Sequence, residues 1–486
     1  MAVLLTVGFY LLALATVAIL LAAVWLDLRS GEVNVRFILV CLFVAGIVIY
    51  SIIPRRMPFR APGPRLDAAA QPRLLGYIED IARRVGEGMP REVYLDSDAN
   101  AAVLEAGGLL GIGRRRVMVV GLPLLQGLTE SQLRGVIAHE FGHYTGGDTR
   151  LAPWIYRTRL TLLNTVRRLR RYWYAWFLTL PFVWYAKLFL RTTQAISRQQ
   201  EFAADRLAAK LVGAQTMAAT LQAVEAVAFA YGGFWRTEFV PALQNGYQPP
   251  LAEGFLRYLH QPRTRGLIAD QAAAAGGRPS DPYDSHPSLA ERLEALSALP
   301  AGPDASGEPA AITLLDQEPN LEAMLIRMLM RPGAPAPQPV SWDDVPQRVF
   351  LPGARQRAQR FGHLLAGARL YDLPAVVPHA AAIGRAAATS ENPAAVVGDA
   401  QAHYLGLSII SSAAYSALEG AGWRFRAEPG GPMVATRNGD TLDVDTAISD
   451  LAAGKLTAEA WTEQVNRLGL ADLLLAPVRE ATPISA

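Results

Sequence analysis

Cysteine is almost absent from this chain: Cys41 is the only one in 486 residues. A lone thiol forms no intrachain disulfide and no thiolate metal cluster, which excludes a disulfide scaffold and a Cys-ligated zinc site. Cys41 falls in an apolar run, as suits a reducing compartment. Histidine is also scarce, with seven in all, so any metal centre draws on a small pool. Charge of one sign is not in excess either. Lys+Arg number 46 and Asp+Glu 43, a formal net charge of +3. The basic clusters sit beside apolar segments, where anionic lipid headgroups account for them better than nucleic acid does. A phosphate-binding loop is missing, since Gly111-Ile112-Gly113 runs into three arginines without a Lys-Ser/Thr pair. No internal repeat is visible.

What the chain has in quantity is apolar surface, 51% of its residues. Val3 to Leu26 is an uncharged run of 24 and Phe37 to Ile53 one of 17. Both fall in the range of roughly 17–25 residues needed to cross hydrocarbon. A cleaved signal peptide is the competing reading of the first run. It lacks a basic start, is too long, and meets a second run almost at once. A two-helix transmembrane hairpin is therefore expected over residues 1–53, with spans at about 3–26 and 37–53. Arg55, Arg56, Arg60 and Arg65 follow it, against Arg29 and Arg36 in the loop, which places the following domain on the cytoplasmic side. Pro54, Pro58, Pro62 and Pro64 make residues 54–69 an extended basic linker.

His139-Glu140-Phe141-Gly142-His143 fits H-E-x-x-H. Histidines four apart on a helix stand about 40° apart around its axis, so both imidazoles reach one metal ion. Glu140 projects beside them, placed to act on a metal-bound water. Thr129 and Gln132 have the form of a capping box, Gly146-Gly147 a stop, and Leu133, Val136 and Ile137 an apolar face. The bland alternative is two core histidines meeting a surface glutamate. A zinc hydrolase site needs a third protein ligand. Glu201 is the best candidate, on a helix expected from about Thr192 to Val212. Asp205, four residues on, shares its face and suits the acceptor of a ligating histidine's free N–H. Alone, Arg198, Glu201, Asp205 and Arg206 would read as a solvated face of ion pairs.

HEFGHYTGGD, then SRQQEFAAD, then Asp284 to Arg292 (DSHPSLAER) together resemble the membrane zinc endopeptidases of the HtpX and CAAX-prenyl-protease type. Asn100-Ala101, after a short strand from Glu92 to Leu95, and Arg116 to Gly121 agree with this. The resemblance covers about residues 70–300. It implies one Zn2+ per chain held by His139, His143 and Glu201. Glu140 becomes the general base, Asp205 and Asp148 support the ligands, and His286 donates to the tetrahedral intermediate. Asn100, Ala101 and Arg292 become substrate-cleft positions. It further implies an integral membrane protein, in a bacterial inner membrane, that hydrolyses peptide bonds of membrane-associated or misfolded proteins. Without the resemblance, Asp148 reads equally as a cap and His286 as a turn histidine. An extended substrate could add to the Val117–Val120 strand or to the Asn100 segment.

Tyr172 to Leu190 is a third apolar stretch, following Arg167, Arg168, Arg170 and Arg171. One crossing would put Glu201 on the wrong side of the membrane from His139. The stretch must therefore re-enter, lie in the interface, or be buried in protein, and a membrane-dipping amphipathic hairpin broken at Pro181 is expected. The whole reads as a helix-rich α+β, zincin-like metallopeptidase domain over 70–300. After it come a helix and Pro-rich linker (301–345), a separate soluble α+β accessory region (346–476) and a tail (477–486). Helices are expected at Pro72–Val85, Thr216–Ala230, Pro287–Leu296, Asn320–Met330, Gln356–Leu370, Ala394–Leu418 and Thr457–Leu468. A hairpin should turn at Asn438-Gly439. His363, His379 and His403 are isolated, and a protein partner is the expectation for this region. The competing functions are a catalytically silent membrane scaffold and a zinc exopeptidase.

Overall fold

The structure is a computed structural model that describes residues 2–31, 33–53, 59–106, 115–145, 152–172, 176–276, 287–302, 307–392 and 397–476. Two compact units divide the chain: Met1–Ala228 with Asp270–Met330, and Phe229–Ala269 with Arg331–Ala486.

The first unit begins with two apolar helices, α1 (Ala2–Arg29) and α2 (Val35–Ile52), each long and apolar enough to cross a membrane. Asn34 caps α2 by accepting the Phe37 N–H. Helix α3 (Pro72–Val85) precedes a mixed sheet of β1 (Glu92–Asp96), β2 (Ala101–Ala106) and β3 (Arg115–Gly121), in the order β1-β3-β2. β3 is central, parallel to β1 and antiparallel to β2. The basic linker is not wholly free. Leu66 N–H donates to Val93 and Leu95 N–H to the Pro64 carbonyl, so its end lies along β1 as a further extended segment.

After α4 (Leu122–Gly127) comes α5 (Glu130–Thr145), which carries the H-E-x-x-H residues. The Thr129–Gln132 capping box forms, each backbone N–H bonded to the other's side chain. Gly146 and Gly147 lie outside the described residues. Helices α6 (Ala152–Arg170) and α7 (Trp176–Val212) then form a hairpin longer than the expected 172–190 insert. Its apolar side packs on α1 and α2: Leu162, Leu169, Phe182, Ala186 and Phe189 share a core with Phe9, Ala13, Val17, Val44 and Val48. Tyr185 Oη reaches the Leu5 carbonyl at 2.6 Å. The expected break at Pro181 does not occur. Near the start of a 37-residue helix, proline removes one intrahelical bond, and the packing of Phe182 and Phe189 outweighs that loss. Leu4, Leu11, Ile19, Leu39, Trp176 and Trp184 all face outward, a large apolar surface around the bundle that suits lipid, not water.

Gly213, at φ 88°, ends α7 and leads to α8 (Ala214–Phe234). Further on, α9 (Leu289–Ser297) starts at a capping box of Ser288 and Glu291, and α10 (Glu318–Leu329) packs Leu321, Leu325 and Ile326 inward.

The second unit starts earlier than the expected residue 346 and includes residues 229–269. Trp342 explains why. Its ring is buried against Phe234, its Nε1–H donates to the Pro250 carbonyl, and Gly254 lies too close beneath it for any side chain. Two helices, α11 (Ala380–Glu391) and α12 (Asp399–Gly420), cross at Gly384 and Gly406, each against the other helix's backbone. A three-stranded antiparallel sheet of β4 (Arg424–Arg426), β5 (Val434–Arg437) and β6 (Asp440–Asp443) follows. Asn438 (φ 53°) and Gly439 (φ 93°) turn its hairpin, as their left-handed preference requires. The expected helix Gln356–Leu370 is instead Leu351–Phe361 followed by a 3-10 turn.

This unit holds a pH-sensitive contact. Glu238, in the π-helical turn Trp235–Phe239, accepts the Gly430 N–H at 3.4 Å, and burial pushes its carboxyl up from 4.5 to about 7. An acid raised in the folded state binds its proton more tightly there than when unfolded. The stabilisation is therefore complete below about 4.5 and lost as pH rises through about 7. Glu238→Gln should flatten the fall in thermal midpoint across that window; an unchanged pH profile would show that Glu238 is solvated.

Candidate metal centre

Three helices converge on one spot. α5 supplies His139, Glu140 and His143, α7 supplies Glu201 and Asp205, and α9 supplies Arg292. His139, Glu201 and Asp205 are buried, whereas the His143 side chain keeps 30% exposure. The two imidazole rings meet edge to face with centroids 4.8 Å apart. His139 Nε2 lies 3.4 Å from Glu201 Oε2, and His143 Nε2 lies 3.7 Å from Glu201 Oε1. Donor atoms on a tetrahedral zinc, at about 2.0–2.1 Å from it, stand about 3.3 Å apart. Both separations are close to that edge length. One donor atom each from His139, Glu140 and His143 also falls within a 4.8 Å group.

Gly142 makes the convergence sterically feasible. A Cβ there would lie 2.8 Å from Ala204 Cα, so only glycine lets α7 come this near α5. Behind the histidines, His139 Nδ1 is 2.9 Å from Asp205 Oδ1. Asp205 also accepts from Arg292 Nε at 2.8 Å and from Nη2 at 2.6 Å. Arg292 Nη2 also lies 3.8 Å from Glu201 Oε2, so its guanidinium braces both acids of α7. Beside it, Arg198 pairs with Glu291, tying the start of α9 to α7 a second time.

The donor chemistry fits a dication. Three carboxylates, Glu140, Glu201 and Asp205, gather around one guanidinium, Arg292. Burial alone would lower His139, but the carboxylates of Asp205 and Glu201 outweigh it and raise the imidazole to about 9. For Glu140, burial is the largest cause and Glu201 adds to it; His139 opposes them, and the carboxyl stands at about 7. The protein has thus assembled more negative charge than it neutralises, in a largely buried place. That deficit suits a divalent cation.

The cleft side is made by β2. Among the described residues it pairs only with β3, and on its other side Val103, level with Met118, turns its backbone groups toward α5. The Val103 N–H is bonded to Glu140, and its carbonyl accepts Tyr144 Oη at 2.7 Å. Ala101, two residues earlier, shares this register. Asn100 is exposed, and its carbonyl holds the Gly121 N–H at the end of β3. Val117 to Val120 lie in the central strand, where both edges are occupied, so strand addition there is closed. His286 and Asp148 lie outside the described residues.

Residues 68–299 match the model of Peptidase family M48. Among curated proteins, the chain is similar to Protease HtpX of Escherichia coli O1:K1 / APEC and to Protease HtpX of Shigella boydii serotype 18. Each is 25% identical over 301 residues, covering 55% of this chain and 89% of the relative. No solved structure gives a significant match.

Proposed function

We propose, for a chain whose residues 68–299 form a metalloprotease domain of peptidase family M48, that it is a membrane-anchored zinc endopeptidase. Its substrates on this reading are membrane-associated or misfolded polypeptides. The observation that carries the proposal is the donor set of His139, His143 and Glu201 at near-tetrahedral spacing, with Glu140 beside it.

In this reading His139, His143 and Glu201 hold one Zn2+. Zinc supplies a Lewis acid and lowers the pKa of the water it binds to about 7. Glu140 accepts the proton released when water attacks the peptide carbonyl, then returns it to the leaving amine. Asp205, 2.9 Å from His139 Nδ1, is placed to take its N–H and fix the tautomer, while Arg292 keeps Asp205 ionised and in place. His286, two residues before the Ser288 cap of α9, is proposed as the donor to the oxyanion. The Ala101–Val103 edge supports binding of an extended chain. An edge strand accepts peptide on either side of a scissile bond, which favours an endopeptidase over an exopeptidase.

Anchoring rests on α1 and α2, and the basic flank after α2 supports a cytoplasmic site at a bacterial inner membrane. The hairpin of α6 and α7 carries Arg167, Arg168, Arg170 and Arg171 at its turn, with Arg168 over the Tyr50 ring at 4.6 Å. That pairing of arginine with outward tryptophan suits an anionic lipid surface. Asp148 is proposed as a further supporting residue and the second unit as a soluble recruiting region. Comparative proteomics of membranes carrying wild type or Glu140→Gln tests the whole. Accumulation of specific intact polypeptides in the variant supports it, and indistinguishable membrane proteomes would argue for the silent scaffold.

A further inference from the structure

Val103 is the point where β2 and α5 meet. Its backbone groups face away from β3, and both are taken by one face of α5, since Glu140 and Tyr144 stand four residues apart. Glu140 takes the N–H and the Tyr144 hydroxyl donates to the carbonyl at 2.7 Å. Tyr144 is braced from behind. Its ring centroid is 4.9 Å from the Arg116 guanidinium carbon, and Arg116 is paired with Glu87.

We propose that Tyr144 gates the substrate strand: its hydroxyl occupies the backbone carbonyl that an extended peptide needs in order to add to β2 beside Glu140, and the peptide enters by displacing it. This rests on the endopeptidase reading above. A chain adding to an edge strand bonds at alternate residues, which on β2 are Ala101, Val103 and Glu105. Of these, Val103 bonds Glu140, so the peptide bond to be cleaved must come level with it. The carbonyl needed at that level is the one Tyr144 holds. Disordered or partly unfolded chains offer a free N–H for the exchange. A folded strand already paired in its own sheet does not, so the gate favours unfolded polypeptide.

The experiment uses full-length, zinc-loaded protein in lipid nanodiscs and an unstructured, internally quenched peptide. Tyr144→Phe keeps the ring on Arg116 and removes only the competing donor. KM should fall about three- to tenfold with kcat within twofold, as expected for loss of one neutral hydrogen bond. Affinity of metal-free protein for the same peptide, read by fluorescence anisotropy, should rise by the same factor. Unchanged or weaker binding would overturn the gate. So would a fall in kcat at constant KM, because it would make Tyr144 a group acting on the reacting atoms. If zinc-loaded wild type neither binds nor cleaves any peptide, the endopeptidase reading fails and takes the gate with it.

Discussion

Glu140→Gln should lower kcat for peptide hydrolysis by about 10²- to 10⁴-fold, the usual contribution of a general base, with zinc still bound at about one per chain. The two outcomes separate if, as proposed, Glu140 is the base and not a metal ligand. Glu140 is bonded to the Val103 N–H and stands beside the His139–Glu201–His143 set without being needed to complete it. Glutamine matches its shape and keeps an oxygen for that N–H, but it accepts no proton. In the metal-free protein, burial and the neighbouring Glu201 carboxylate raise the Glu140 carboxyl. Removing this negative charge also relieves the crowding around Glu201, so zinc affinity is expected to hold or weaken only slightly. Metal analysis and single-turnover cleavage on the same preparation check both halves. An active, zinc-loaded Glu140→Gln enzyme would sink the assignment of Glu140 as base.

The residues that belong to α5 were legible because helical periodicity alone puts His139, Glu140 and His143 together. Glu201 and Asp205 were legible for the same reason, four apart on one helix. What periodicity could not give is which side of a helix meets which neighbour. Arg292 illustrates the loss: nothing in its motif position shows that its guanidinium pairs with Asp205 and approaches Glu201. β2 was missed as a strand because Ala101 to Ala106 is AAVLEA, a sequence with weak β-propensity that pairing with β3 overrides. Without β2 there was no way to see that Val103 and Tyr144 meet. The boundary near 346 failed because Trp342 lies beside a proline-rich stretch and looks like linker, whereas its partners Phe234 and Gly254 are about 90–110 residues away.

Pro181 exposes the same limit from the other direction. Local rules break a helix there, but α7 runs through it and joins the apolar bundle to Glu201 and Asp205 in one rigid element. Glu201, the metal ligand proposed on α7, is thus positioned at two ends. Phe182, Ala186 and Phe189 fix the helix against α1 and α2, and Arg292 and Glu291 fix it against α9. A helix held twice has little freedom to yield where it passes α5, and that makes the contact at Gly142 decisive.

Gly142→Val should therefore cost zinc affinity by about 100-fold or more and activity with it, while the rest of the protein stays folded. The added Cβ would lie 2.8 Å from Ala204 Cα and 3.0 Å from Ala204 Cβ, so the clash is with backbone that cannot rotate away. Relief requires α5 and α7 to separate by roughly an ångström, and zinc sites tolerate ligand displacements of only about 0.2 Å. Glu201 lies one turn before Ala204, so it would be carried out of reach of both histidines. Gly142→Ala makes the sharper test. In a free helix, alanine is more stable than glycine by roughly 1 kcal/mol. If helix propensity decided the matter, the variant would bind zinc as well as wild type and melt higher. The packing against Ala204 gives the opposite sign: weaker zinc binding, with an intermediate loss between wild type and Gly142→Val. Isothermal titration with zinc and thermal melts of the metal-free proteins read the two effects separately. Undiminished zinc binding in Gly142→Ala would mean that α7 is free to move away from α5.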